Sequence, residues 1–83
     1  MPDYTVRAWA EFEGEIEDVR SSLDEAVAQA GGSGLFAEDE GGARVSLEFQ
    51  LVADSADAAT ELTDEILRSV FPDAERGLVS VDR

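Results

Sequence analysis

Eighty-three residues hold 20 Asp and Glu against 6 Arg, with no Lys, His or Cys, and the formal net charge is −14 at pH 7. Without imidazole, thiol or amine side chains the chain cannot build Ser–His or Cys–His nucleophiles, lysine Schiff bases, disulfides or Cys/His zinc sites, so a non-enzymatic role without cofactor or structural metal is expected. An apolar content of 43%, with four Phe, one Tyr and one Trp, still places residues 1–83 in the globular class, as one domain around one core.

From Tyr4 to Glu13 the residues alternate, with Tyr4, Val6, Ala8, Ala10 and Phe12 on one side and Thr5, Arg7, Trp9, Glu11 and Glu13 on the other. A period of two predicts a strand. Gly14 interrupts it. From Glu15 to Ala30 the apolar residues Ile16, Val19, Leu23, Val27 and Ala30 recur at helical spacing, with carboxylates in the first turn where the helix dipole favours them, and Gly31-Gly32 supply a stop.

The next stretch predicts a short strand near Leu35 to Glu38, a turn over Asp39 to Ala43 in which Gly41 and Gly42 take positive φ, and a longer strand from Arg44 to Ala53. That strand sets Val45, Leu47, Phe49 and Leu51 against Arg44, Ser46, Glu48, Gln50 and Val52. Ser55 is placed to cap a second helix with the stripe Ala59, Leu62, Ile66 and Val70, an Asp64–Arg68 pair at i,i+4, and Pro72 as its end. Leu78 to Asp82 closes the chain as a short strand, with Val79 and Val81 alternating against Leu78 and Ser80.

The element order β-α-β-β-α-β, with a crossover after each long strand and a hairpin between the middle pair, predicts an α+β ferredoxin-like two-layer sandwich. Its antiparallel sheet has the order 4-1-3-2, with two helices on one face and the other face open. One-sided alternation in both long strands fits a sheet covered on a single face.

The charge and the alternation together set the expectations for partners. A strongly anionic surface repels nucleic-acid phosphates and anionic membranes, which are bound chiefly through Lys and Arg. No apolar run approaches the ~18 residues of a spanning helix. The opening MPDYTVRA has neither a basic nor an apolar leader pattern, so a cytoplasmic protein is expected. Abundant Asp and Glu without Lys resembles the composition of proteins from salt-loaded cytoplasms or GC-rich genomes. A second reading makes the acidity functional, as a decoy for a basic protein.

Trp9 is the most informative single residue, because by parity it lies on the open face, where Arg7, Val52, Leu78 and Phe36 are also expected. Trp is enriched at interfaces, and grouped apolar residues rimmed by polar ones mark contact surfaces. The expected function is therefore an interaction module whose partner is a second copy of the chain or another protein. RNA-binding domains of this topology carry aromatics on both central strands, whereas the third strand here offers Ser46, Glu48 and Gln50.

An alternative is a small-molecule regulator or a cavity protein of the dimeric α/β-barrel kind, with Arg7, Glu11, Glu48 and Gln50 as polar groups. Gly14 would then sit at the strand-to-helix turn where regulatory modules of the ACT type, which share the architecture, hold ligands. Gly31-Gly32-Ser33-Gly34 follows a helix rather than preceding one, which is the wrong place for a phosphate cradle. Glu38-Asp39-Glu40 lacks the alternating spacing of a calcium loop and reads as a hairpin tip.

Overall fold

A computed structural model describes residues 2–83 and gives the element order β1 (Asp3–Glu11), α1 (Ile16–Gln29), β2 (Gly32–Asp39), β3 (Arg44–Val52), α2 (Ala56–Val70) and β4 (Arg76–Asp82). The sheet order is β2-β3-β1-β4, the 4-1-3-2 arrangement, with every neighbouring pair antiparallel. The fold is the ferredoxin-like α+β sandwich.

The two long strands form because their alternation matches a sheet with one covered face. Tyr4, Val6, Ala8 and Ala10 of β1 and Val45, Leu47, Phe49 and Leu51 of β3 are all buried, and the intervening residues are not. Leu23 and Val27 of α1 and Ala59, Ile66 and Leu67 of α2 pack onto that apolar layer, which is the core. Thr63 is buried among them, and its hydroxyl donates to the Ala59 carbonyl at 2.8 Å, so no polar group is stranded there. Phe12 lies just beyond β1, where its ring meets Phe71 edge-on at 5.9 Å and closes one end of the core.

The helix ends follow their local chemistry. Ser55 is the N-cap of α2, its Oγ accepting from the Ala58 N–H at 3.1 Å, while Asp64 and Arg68 form the i,i+4 ion pair on the outer surface. Glu15 occupies the N-cap of α1 without a side-chain hydrogen bond, and Gly31, at φ +86°, turns the chain away at the other end.

All four strands differ from the expected bounds: β1 runs Asp3–Glu11 and stops short of Phe12 and Glu13, β3 ends at Val52 rather than Ala53, and the other two start earlier. β2 starts at Gly32 rather than near Leu35, because Gly32 pairs with Leu51 and Ser33 with Gln50 before an extra residue is accommodated ahead of Phe36. Gly34, at φ +67°, lies in that bulge. Glycine is required at position 32 for space: an added Cβ would lie 2.7 Å from the Gln50 carbonyl oxygen and 2.7 Å from Val27 Cγ1, where α1 presses on the sheet. β4 starts at Arg76 rather than Leu78 and carries a second bulge, with Leu78 opposite Ala8, Ser80 opposite Arg7, and Val79 between them without a β1 partner.

Candidate functional site

The face of the sheet turned away from the helices is uncovered. Along β1 it presents Asp3, Thr5, Arg7, Trp9 and Glu11, and along β3 it presents Arg44, Ser46, Glu48, Gln50 and Val52. The register is direct: Arg7 lies opposite Glu48, Thr5 opposite Gln50, and Trp9 opposite Ser46. Arg7 Nε donates to Glu48 Oε1 at 2.7 Å and Thr5 Oγ1 donates to Gln50 Oε1 at 3.0 Å, so the centre of the face is a pair of cross-strand polar contacts.

Trp9 occupies the open side but is half-buried rather than bare. It pairs directly with Gly77 of β4, whose missing side chain leaves room for the indole; a Cβ there would come within 2.6 Å of Trp9 Nε1. An aromatic ring laid over a glycine on a neighbouring strand covers backbone that would otherwise face water. The Arg44 guanidinium stacks over the ring, 4.2 Å from its centroid, a cation–π contact. Two of the six arginines are thus held on this face, one by a carboxylate and one by an aromatic ring.

Phe36 and Val52 are exposed apolar residues elsewhere on this face, on the edge strand β2 and at the far end of β3. Phe36 registers with Glu48 from β2 and is 57% exposed, and Val52, opposite Asp3, is 40% exposed. Leu78 does not join them. The Val79 bulge shifts the parity of β4, so Leu78 registers with the buried Ala8 and lines a shallow cleft with Thr60, Thr63, Asp64 and Leu67 on the helical side. The same bulge overturns the expected alternation of Val79 and Val81 against Leu78 and Ser80. Ser80 and Val81 register with Arg7 and Val6, on opposite faces.

The polar residues considered for ligand binding are distributed differently from a convergent pocket. Glu48 is engaged with Arg7 and Gln50 with Thr5, while Glu11 stands opposite Arg44 at the end of the strand. Gly14 lies past β1 against the Phe12 ring, where an added Cβ would come 3.1 Å from the ring's Cζ. A depression of about 280 Å³ between α1 and α2 is lined by Ala26, Gln29, Ala30, Leu62, Glu65 and Ile66. At the hairpin tip, Asp39 Oδ1 accepts from the Gly41 N–H at 2.8 Å, which ties that carboxylate to its own turn. Among the described residues no group of three or more acidic side chains is placed to hold a metal ion. No helix among them is long and apolar enough to cross a membrane.

The carboxylates lie on every element rather than on one face. Glu17, Asp18, Asp24 and Glu25 line α1, Asp57, Glu61, Asp64 and Glu65 line α2, and Glu38, Asp39 and Glu40 fill the hairpin tip. Besides the Arg7–Glu48 and Thr5–Gln50 contacts, the sequence alone does not reveal Arg44 on Trp9 or Gly77 beneath the indole. Strand parity alone places these groups on one face once the β1–β3 and β1–β4 registers are known. Searches of protein-family models and of curated proteins gave no match to this chain.

Proposed function

We propose that this chain is a small non-enzymatic interaction module that associates with a second copy of itself through the open sheet face. The observation that carries the reading is the coincidence of three properties on one surface. No element among the described residues covers the face, it exposes Phe36 on the edge strand β2 and Val52 at the end of β3 away from Trp9, and its central Arg7–Glu48 pair is internally neutralised while Arg44 is stacked on the Trp9 ring.

The choice of partner follows from charge. A chain of net charge −14 meets its own like charge wherever two copies touch, and both helices present rows of carboxylates with only Arg20 and Arg68 among them. The sheet face is where two such chains approach at least cost. Its size sets the strength. Four strands at 4.8 Å spacing and seven to nine residues long make a surface of roughly 20 by 25 Å, so two copies bury on the order of 1,000 Å² in total, the low end for specific complexes. A reversible dimer with a dissociation constant in the micromolar range is expected from such an area. The composition-based expectation of a cytoplasmic setting belongs to the same proposal.

The acidic-decoy reading needs carboxylates gathered on one face, and here they are spread over both helices, the hairpin tip and the strands. Light scattering coupled to gel filtration, on wild type and on Trp9→Ser at 0.3 M KCl, tests the proposal. Twice the chain mass for wild type at 100 μM, falling to the monomer in the variant, supports it. A wild-type monomer throughout overturns it.

A further inference from the structure

The edges of the open face differ from its centre. Glu11 stands at the end of β1 nearest Trp9, Asp3 at the other end, Glu38 on β2 and Asp82 on β4, opposite Ser46 and Thr5 respectively. None of these four carboxylates makes an ion pair among the described residues, whereas Glu48 at the centre is held by Arg7. The face is therefore a polar middle whose charges are paired, with Phe36 and Val52 toward its periphery, enclosed by acidic side chains that form no ion pair among the described residues, Arg44 opposite Glu11 being the one cation in register with them. The hairpin tip, with Asp39 and Glu40, continues the rim beyond Glu38.

Resting on the self-association reading, we propose that ionic strength controls the monomer–dimer equilibrium through this rim, with higher salt favouring the dimer. Bringing two such faces together sets two acidic rims around one seam, about 10 Å apart if the sheets pack face to face. Carboxylates at that separation repel through water unless cations gather between them. The helical carboxylates act differently. They lie on the far side of each protomer, so in the dimer they are separated by two sheets and two helix layers, several times the Debye length of about 8 Å at 0.15 M salt. At 0.02 M salt the screening length rises to about 20 Å and the rims repel across the whole seam, while at 0.5 M it falls to about 4 Å and the two faces can close. The sign is the reverse of an interface built on opposite charges, which weakens as salt rises.

The test is sedimentation equilibrium of the full chain between 0.02 and 0.5 M KCl. It compares wild type, a rim variant (Glu11→Gln, Glu38→Gln, Asp82→Asn) and a helix variant with the same change of charge (Asp24→Asn, Glu61→Gln, Glu65→Gln). All six positions are exposed, and none is a partner in an ion pair among the described residues. Wild type is expected to dimerise roughly tenfold more tightly at the higher salt, the rim variant to change less than about threefold because its low-salt affinity is already raised, and the helix variant to follow wild type. A dimer whose affinity is independent of salt overturns this inference while leaving the self-association reading intact. Equal flattening by the rim and helix variants overturns the role of the rim. Monomer at every salt concentration for all three proteins overturns the underlying reading instead.

Discussion

Replacing Gly77 with Ala probes the seat of the indole directly. A Cβ at that position would stand 2.6 Å from Trp9 Nε1, 2.9 Å from Cε2 and 3.0 Å from Cζ2, and carbon contacts settle at about 3.5–4.0 Å, so the ring must withdraw by roughly 1 Å. The obstacle is the far end of a side chain rather than backbone, so the indole is expected to swing away while the sheet stays in place. Off-rotamer strain and a weakened Arg44 stack together cost about 1–2 kcal/mol. The lower chain entropy of Ala in the unfolded state returns about 0.4–1 kcal/mol of that, leaving a net loss near 1 kcal/mol. The chain has one Trp, so its emission reports this site alone. Gly77→Ala should shift the emission maximum to the red and lower the urea midpoint followed by far-ultraviolet circular dichroism. Arg44→Ala should shift emission the same way without the steric term. An unchanged emission maximum together with unchanged stability in Gly77→Ala would refute the seating of the ring on β4.

Two further substitutions test the framework that holds this face. Gly32→Ala should destabilise by about 1–3 kcal/mol, since its Cβ would lie 2.7 Å from the Gln50 carbonyl oxygen, which cannot yield without moving β3, and 2.8 Å from Cδ2 of the fully buried Leu51. Gly31→Ala, with φ +86° and no atom within 4 Å, should cost only about 1 kcal/mol from backbone strain; a urea midpoint for Gly32→Ala at or above that of Gly31→Ala contradicts the close docking of α1. Ser55→Ala should lose about 1 kcal/mol with the cap on the Ala58 N–H, and Ser55→Asp should recover most of it. Equal thermal midpoints for Ser55→Ala and wild type would show that the cap contributes nothing.

The architecture was legible because the two long strands report their environment. Tyr4, Val6, Ala8 and Ala10 alternate with polar residues only if one face is covered, and the Ser55-to-Pro72 segment carries its own start, stripe and stop. Gly32 was not legible as strand, since a glycine chosen to admit Val27 and a carbonyl oxygen looks the same in sequence as one chosen to end a helix. Parity alone places Leu78 on the open face, and the structure differs because a bulge changes parity without any residue type announcing it, and Val79 is not a glycine. The Arg7–Glu48 and Thr5–Gln50 contacts needed the register between β1 and β3, which a helix and a hairpin separate in the chain and local chemistry does not set. Trp9 could be placed on the open face by parity, yet its half-burial depends on Gly77, which only the β1–β4 pairing brings beneath it.

The association surface itself can be read residue by residue from amide and indole proton–nitrogen spectra recorded from 10 μM to 1 mM chain at 0.3 M KCl. Concentration-dependent shifts should gather on Thr5, Arg7, the Trp9 indole, Phe36, Glu48, Gln50 and Val52, leaving Asp24, Glu61 and Glu65 on the helices unmoved. Shifts confined to α1 and α2, or spectra that do not change over the hundredfold range, would contradict a sheet-face dimer.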